Sequence, residues 1–225
     1  MDLTWFTALG SLLVLPALLT AVIAYFCGCF NGAVIVSKYI LRDDVRTHGS
    51  GNAGLTNFYR TFGGPLTFAV ILTDVLKAIV AIWIGMLLFR YMVVDDAIVI
   101  ALAKYWAGLW CLLGHMFPCM FGFKGGKGIL SGGTIAIMMD WRIALVVWGG
   151  FLILAVLTRY ISLGSCWAGA SFPFATWFVY RDVLITVLAI LIGGLILWKH
   201  RGNIHRLMQG KESKFSLHKK KEGSQ

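Results

Sequence analysis

Charged residues are scarce in this chain, and acidic residues are the scarcest. Of its 225 residues only 13% are charged, with 10 Asp and Glu against 20 Lys and Arg, whereas 59% are hydrophobic. Soluble domains carry about 45–50% apolar residues, so this composition excludes an ordinary soluble protein and predicts an integral membrane protein. The net charge of +10 favours cytoplasmic loops and an anionic membrane surface over nucleic acid, which would need a soluble basic face.

Several signatures of metal, disulfide and nucleotide chemistry are also missing. The five cysteines contain no Cys-x-x-Cys pair, and no His-Glu-x-x-His or spaced Cys/His cluster occurs, so we expect buried thiols and no metal site. Residues 124–128 lack the leading Gly and the final Ser or Thr of a Walker A loop, which argues against nucleotide hydrolysis. None of His48, His115 and His200 is followed five residues later by Asp, so His/Asp acyltransferase chemistry is not supported.

Hydrophobic runs predict about seven membrane-spanning helices, because one span needs about 20 apolar residues. The expected spans are residues 12 to about 36, 66–89, 97–113, about 129–139, 143–157, 163–180 and 183–198. The fourth run is short, so we expect Gly128 and its neighbours to extend it. The acidic start and the late first Lys, Lys38, argue against a cleaved signal peptide, so the first run is expected to be retained.

Basic residues concentrate on one side of this arrangement. On one side, residues 37–65 carry four Lys and Arg, residues 114–128 carry two and residues 158–162 carry one. The tail from residue 199, on the same side, carries eight. The opposite loops carry three, namely Arg90, Arg142 and Arg181. The positive-inside rule then predicts an all-α integral membrane protein with its N-terminus outside and its C-terminus in the cytoplasm.

Three glycine- and cation-rich segments interrupt the apolar runs, and all three fall on the predicted cytoplasmic side. They are residues 48–60, 114–128 and 199–210. Flexible glycine backbone beside fixed positive charge is typical of phosphate sites. The three segments therefore predict one divided site for anionic phosphate compounds at the membrane face.

The first and second segments supply most of the candidate binding residues. Glycines allow backbone N–H groups to converge, and polar side chains add further donors. The candidates are Arg46, Ser50, Gly51, Asn52, Thr56, Asn57, Arg60, Lys124, Gly125, Gly126 and Lys127. The alternative for the first segment is an ordinary polar inter-helix loop. His115 is either a helix cap bonded to a carbonyl or a phosphate donor or proton carrier.

The third segment and one intramembrane pair complete the candidates. His200, Arg201 and Asn203 follow the last span, where a plain stop-transfer basic cluster is the alternative. Asp74 and Lys77 share one helix face at i and i+3. An unpaired ion at the centre of a membrane helix costs about 2.5–3.5 kcal/mol, so we expect these two to neutralise each other or to reach toward the cytoplasmic site.

Together the segments resemble the signature regions of the bacterial acyl-phosphate:glycerol-3-phosphate acyltransferases, the PlsY family. Residues 49–60 resemble GSGNxGATNxxR, residues 114–128 resemble GHxFPxxxxFKGGKG, and residues 200–212 resemble HRxNIxRLxxGxE. A preceding DxR matches residues 44–46, and Asp74 and Lys77 resemble the DxxK of the following helix. Two departures are Leu55 in place of the usual Ala, and Asn31-Gly32 where Pro-Ser-Gly is frequent.

The resemblance implies an enzyme of the bacterial inner membrane whose active site faces the cytoplasm. It implies transfer of a fatty acyl group from acyl phosphate to the 1-hydroxyl of glycerol-3-phosphate, giving 1-acyl-glycerol-3-phosphate and phosphate in the first step of phospholipid synthesis. No cofactor, metal or nucleic acid is expected; the expected partners are the two substrates and membrane lipid. Residues 1–213 would form a single transmembrane acyltransferase domain and residues 214–225 a basic, flexible cytoplasmic tail.

The resemblance also implies roles for the three segments. Residues 49–57 and 124–127 would hold the acyl-phosphate head. The residues expected to help hold glycerol-3-phosphate are Arg46, Arg60, Arg201 and Asn203. The expected catalytic residues are His115, Lys127 and Asn203, with either His115 or the departing phosphate taking the hydroxyl proton. Two other classes remain open: a transporter of phosphorylated solutes, which would need a polar path through the bilayer, and a lipid-phosphate phosphatase.

Overall fold

The described chain is built from helices joined by short loops. A computed structural model describes the backbone of residues 3–215 and the side chains of residues 12–215. The helices are α1 Leu3–Cys29, α2 Gly32–Ile35, α3 Leu55–Thr61, α4 Leu66–Met92, α5 Ala97–Met116, α6 Ile129–Met139, α7 Trp141–Thr158, α8 Ile161–Tyr180, α9 Val183–Lys199 and α10 Arg201–Met208. The expectation of an all-helical protein is confirmed for these residues, and the expected tail from residue 216 on lies outside them.

The first long helix ends earlier in the chain than expected. α1 ends at Cys29, and the side chain of Asn31 caps α2 by accepting a hydrogen bond from the backbone N–H of Val34 at 3.1 Å. The same side chain donates to the carbonyl oxygen of Ala53 at 3.0 Å. The expectation of a span reaching residue 36 is therefore wrong, because Asn31 is a better helix cap and loop clasp than a helix-interior residue.

Gly128 does not extend α6. Its φ of 77° lies in the left-handed region, and the helix begins one residue later at Ile129. Glycine adopts this conformation without the steric cost that a side chain would add. The expected extension is wrong, and α6 has 11 residues.

Within residues 3–215, four helices are long and apolar enough to cross a membrane. They are Leu12–Cys29, Leu66–Met92, Ala97–Phe121 and Trp141–Thr158, and the bent pair α9–α10, with an angle of 58°, makes a fifth if it counts as one span. The expected seven spans also include α6 and α8, which are not among these helices. α6 is too short, and the 20-residue α8 contains several buried serines, which lower its hydropathy.

The helices pack as two groups joined through α6 and through a contact between α5 and α9. α1, α4 and α5 contact one another, α7 and α9 both pack on α8, and α6 contacts both α4 and α7. Close approach needs small residues where helices cross in a membrane protein. At the crossing of α1 and α5, a Cβ added to Gly28 would collide with the carbonyl oxygen of Cys111, and one on Gly114 with that of Tyr25. This packing brings the end of α5, the start of α6 and the α9–α10 bend to the same end of the bundle.

Candidate active site

A cavity of about 1130 Å³ opens at this end of the bundle. Its lining comes mainly from α3 and the loop before it, the end of α5, the start of α6, α7, the start of α8 and the α9–α10 bend. Polar and cationic groups come from the three glycine-rich segments. Apolar side chains come from α6, α7 and α8, among them Ile129, Trp148, Phe151 and Ile161. The cavity can therefore hold both an anionic head and a hydrocarbon chain.

Asn57 organises the loop of the first segment. Its Oδ1 accepts a hydrogen bond from the backbone N–H of Ser50 at 3.0 Å, while its Nδ2 donates to the carbonyl oxygens of Val45 and His48, both at 3.0 Å. All of its strong hydrogen-bonding groups hold the loop, and its side chain is buried. Asn57 thus fixes the loop shape, while neighbours such as Ser50 and Asn52 line the cavity beside it.

The glycines of the second segment serve close packing. The backbone N–H groups of Gly125 and Gly126 donate to the carbonyl oxygens of Met116 at 3.3 Å and His115 at 3.2 Å, which folds the segment back on the end of α5. A Cβ on Gly125 would collide with the carbonyl oxygen of His115, and one on Gly126 with the His115 imidazole and with the carbonyl oxygen of Ala53. Both N–H groups are therefore bonded to carbonyl oxygens at the end of α5.

Lys127 and Asn203 meet across the cavity. The Lys127 ammonium donates to Oδ1 of Asn203, and Nδ2 of Asn203 donates to Oε1 of Glu212 at 2.7 Å. Burial, followed by the positive charge of Arg206, lowers the pKa of Lys127 to about 8. An anion beside Lys127 would raise this pKa again, because it favours the charged form.

Glu212 anchors the other end of this network. Its Oε1 also accepts from the hydroxyl of Ser162 at 2.8 Å, and its Oε2 accepts from Nε of Arg206 at 2.7 Å. Burial alone would raise the pKa of this carboxyl, but the hydrogen bonds from Asn203, Ser162 and Arg206 outweigh it and hold the pKa below its usual value. The carboxylate orients the Asn203 amide so that its oxygen faces Lys127.

Asp74, Lys77 and His115 form a buried cluster at the cavity. The Lys77 ammonium lies 2.6 Å from Oδ1 of Asp74 and 2.7 Å from Nδ1 of His115. Asp74 and His115 both line the cavity, although each side chain is at most 3% exposed. The intramembrane pair therefore both neutralises itself and reaches the site. His115 bonds an ammonium rather than the carbonyl expected of a simple cap.

Ten of the fifteen residues expected at the site line the cavity. They are Ser50, Asn52, Thr56, Asn57, Arg60, His115, Lys127, His200, Arg201 and Asn203. His200 is buried at the α9–α10 bend, where Nδ1 donates to the carbonyl oxygen of Ile196 at 2.8 Å. The guanidinium of Arg201 lies 4.5 Å from the ring centroid of Trp198.

Five expected residues do not line it: Arg46, Gly51, Lys124, Gly125 and Gly126. Nη2 of Arg46 lies 2.7 Å from Oδ2 of Asp44, and its Nη1 donates to the carbonyl oxygen of Phe121 at 2.7 Å. Hydrogen bonding to Asp44 raises the pKa of Arg46 and lowers that of Asp44. Arg46 thus ties the first segment to the second, and the exposed Lys124 lies outside the cavity lining.

Several lining residues were missed from the sequence. Arg206 and Glu212 belong to the third signature, so that match could have pointed to them. Ser162 carries no sequence signal, because a serine at the start of a membrane helix is ordinary. Lys199 resembles any basic residue at a helix end, yet it lines the cavity and donates to the carbonyl oxygen of Met116 at 3.2 Å.

Comparison with known proteins identifies the family to which the chain is similar. The model of the glycerol-3-phosphate acyltransferase family matches residues 18–210. The chain belongs to this family. Among curated family members, the glycerol-3-phosphate acyltransferase of Thermoanaerobacter pseudethanolicus is 35% identical over 198 residues, which cover 88% of this chain and 95% of the relative. The corresponding protein of Fusobacterium nucleatum is 34% identical over 196 residues, covering 87% and 96%.

A solved structure of a family member shares the fold. The crystal structure of PlsY (YgiH), an integral membrane glycerol 3-phosphate acyltransferase, in its glycerol 3-phosphate form matches with a TM-score of 0.77 and 32% identity, covering 89% of this chain and 96% of that one. Its lysophosphatidic acid form matches with a TM-score of 0.74. The expected family and the integral membrane character of this acyltransferase are confirmed.

Proposed function

We propose that this glycerol-3-phosphate acyltransferase takes its acyl group from a fatty acyl phosphate and passes it to the 1-hydroxyl of glycerol-3-phosphate. The products are 1-acyl-glycerol-3-phosphate and inorganic phosphate. The observation that carries the proposal is the cavity of about 1130 Å³ in which cations from three segments meet an apolar lining from α6, α7 and α8. Such a cavity suits one substrate with a phosphate and a hydrocarbon chain and a second that is small and anionic.

Charge supports a site for two phosphates. The cationic side chains that line the cavity are Arg60, Lys127, Lys199, Arg201 and Arg206, against the carboxylates of Asp74 and Glu212. Asp74 is paired with Lys77, and Glu212 with Arg206. Phosphate monoesters carry about −1.5 to −2 charges at pH 7, so the remaining cations offset much of the charge that two phosphates bring.

Lys127 and Asn203 stand where they can act on the reacting groups. The bound anion would compete for the Lys127 ammonium, which now bonds Asn203, so both become available to substrate oxygens. Phosphate is a good leaving group, so positioning and charge stabilisation suffice for much of the acceleration. In the balanced reaction the new C–O ester bond replaces the bond from the acyl carbon to the phosphate oxygen, and the hydroxyl proton leaves on phosphate.

The binding assignment divides the cavity between the two substrates. Ser50 and Asn52, on the loop fixed by Asn57, and Thr56, in the first turn of α3, are proposed to hold the acyl-phosphate head together with Lys127. Arg60, Arg201 and Asn203 are proposed to hold glycerol-3-phosphate, with His200 supporting the bend. Arg46, Gly51, Lys124, Gly125 and Gly126 are proposed to act indirectly, by shaping the segments that carry these groups.

Orientation is part of the same proposal. We propose that α6 and α8 also cross the membrane, giving seven spans with the N-terminus outside and the cavity on the cytoplasmic side of the bacterial inner membrane. The excess of Lys and Arg at the cavity end of the bundle supports this orientation. It places the cavity where water-soluble glycerol-3-phosphate is present.

A donor-swap assay tests the proposal. Purified protein in detergent is given glycerol-3-phosphate with either palmitoyl phosphate or palmitoyl-CoA. Lysophosphatidate formed only from the acyl phosphate supports the proposal, whereas formation from palmitoyl-CoA alone contradicts the donor assignment. Phosphate released without glycerol-3-phosphate would indicate a hydrolase, and the absence of turnover with either donor would reopen transport.

A further inference from the structure

We propose that Lys77 is a positioning residue that fixes His115 as the Nε2–H tautomer, so that His115 donates a hydrogen bond to a substrate phosphoryl oxygen rather than taking a proton. This inference rests on the proposed function and assigns His115, until now either a donor or a base, to one role. It also gives the buried Asp74–Lys77 pair a part in recognising substrate.

The geometry around the Lys77 ammonium sets the tautomer. An ammonium has three donors and no acceptor. Its three neighbours are Oδ1 of Asp74 at 2.6 Å, Nδ1 of His115 at 2.7 Å and the carbonyl oxygen of Phe30 at 3.1 Å. Each donor therefore meets one acceptor, and the close contact with Nδ1 requires a lone pair there. In a neutral imidazole the proton is then on Nε2.

The other ring nitrogen faces the cavity. The His115 side chain is 3% exposed and lines the cavity, yet no group among residues 12–215 accepts a hydrogen bond from Nε2. The backbone of Gly126 lies so close that a Cβ there would collide with Nε2. Because His115 lines the cavity and Nε2 has no protein acceptor, an oxygen of a bound ligand is a natural acceptor for its proton. A phosphoryl oxygen meets this need, since the cavity is cationic.

The same contacts argue against His115 as the base. Nδ1 has its lone pair engaged by Lys77, and Nε2 carries the proton, so neither nitrogen can accept the hydroxyl proton. Charging the ring would also place a second cation beside the Lys77 ammonium, and the two like charges would repel each other. The one carboxylate nearby, Asp74, already balances the charge of Lys77. Metal-ligating histidines show the same logic, in which the partner of one ring nitrogen sets the state of the other.

Nitrogen NMR on the substrate-free protein tests the tautomer directly. Protein with ¹⁵N-labelled histidine is compared with His115→Asn to identify the His115 signals. We expect a protonated Nε2 and an unprotonated Nδ1 in the unmodified protein, and a mixture of tautomers in Lys77→Met. A protonated Nδ1, or a doubly protonated ring, in the unmodified protein would overturn the proposal. The unmodified spectrum decides even if Lys77→Met does not fold.

Ligand titration and a matched pair of variants test the donor role. Glycerol-3-phosphate or inorganic phosphate should shift the Nε2 signal much more than Nδ1; an unchanged Nε2 signal with both probes, under conditions where turnover shows binding, refutes the ligand contact. Glutamine can place an amide N–H near the Nε2 position, whereas asparagine can place only its oxygen near Nδ1. We expect His115→Asn to lose about tenfold or more in kcat/KM, the effect of one hydrogen bond to a charged group, and His115→Gln to retain more activity.

The outcomes separate this inference from the proposed function. If His115→Asn is as active as His115→Gln, the donor role is wrong while acyl-phosphate-dependent product formation can still stand. If the donor-swap assay shows another acyl donor, the substrate-free tautomer remains independently measurable, and the ligand contact is then tested with glycerol-3-phosphate alone.

Discussion

The pH dependence of acyl-phosphate use should follow Lys127. Burial and the charge of Arg206 lower its pKa to about 8, so about 90% of Lys127 is charged at pH 7 and about 10% at pH 9 in the free enzyme. The charged form is the one that holds a phosphate. Because kcat/KM reports groups of the free enzyme, it should fall by up to about tenfold between pH 7 and pH 9.

Variants at this position give the size of the contact. A hydrogen bond to a charged group contributes about 1.5–3 kcal/mol, so Lys127→Ala should lower kcat/KM by about 10- to 150-fold at pH 7. Lys127→Arg keeps its charge at pH 9, so its residual activity should vary less over this range. The assay is the initial rate of phosphate release as palmitoyl phosphate is varied at a fixed concentration of glycerol-3-phosphate.

A matched control separates this effect from general loss of lysine charge. Lys38 is exposed and does not line the cavity, so Lys38→Arg should show the same pH profile as the unmodified protein. The reasoning fails if the unmodified protein has a flat profile from pH 7 to pH 9, or if Lys127→Ala stays within twofold of it while folded.

Three further substitutions test the architecture of the site. Asn57→Ala should lower both the melting temperature and turnover, because the loop loses its organising side chain; full turnover would show that the loop needs no such clasp. Gly126→Ala should reduce turnover at least about tenfold through collision with the backbone and imidazole around it, whereas Gly149→Ala, with open space at its Cβ, should leave turnover unchanged or raise stability slightly; equal behaviour of the two would contradict the packing argument. Glu212→Ala should raise the KM for glycerol-3-phosphate more than it lowers kcat, because Asn203 loses the acceptor that orients its amide, and an unchanged KM would count against that orientation.

Much of the helical framework could be predicted from apolar runs. The helices expected at 66–89, 143–157 and 183–198 occur as Leu66–Met92, Trp141–Thr158 and Val183–Lys199. The first helix could not be delimited in this way, since hydropathy continues past Cys29. Its end depends on the Asn31 side chain, whose partner Ala53 lies 22 residues away.

The candidate site, like the helical framework, could be predicted only in part from the sequence. Ten expected residues line one cavity, because signature spacing marks which residues serve a shared purpose. The role of each glycine was not predictable. In the sequence, Gly125 and Gly126 are typical of phosphate-binding backbone. In the fold, their N–H groups donate to carbonyl oxygens of α5, and the absence of side chains allows the end of that helix to pack closely against them.

The amino-acid sequence by itself determined the membrane environment, the helices and the segments that carry charge, because hydropathy and local propensity act over short stretches of chain. It also determined the family, through the order and spacing of three signatures. The tertiary structure decided which charges neutralise one another and which remain for a ligand. The Lys77 ammonium uses its donors on Asp74, Phe30 and His115, whereas Lys127 bonds Asn203 at the cavity. This difference depends on distances between groups far apart in the chain, which only the packed helices set.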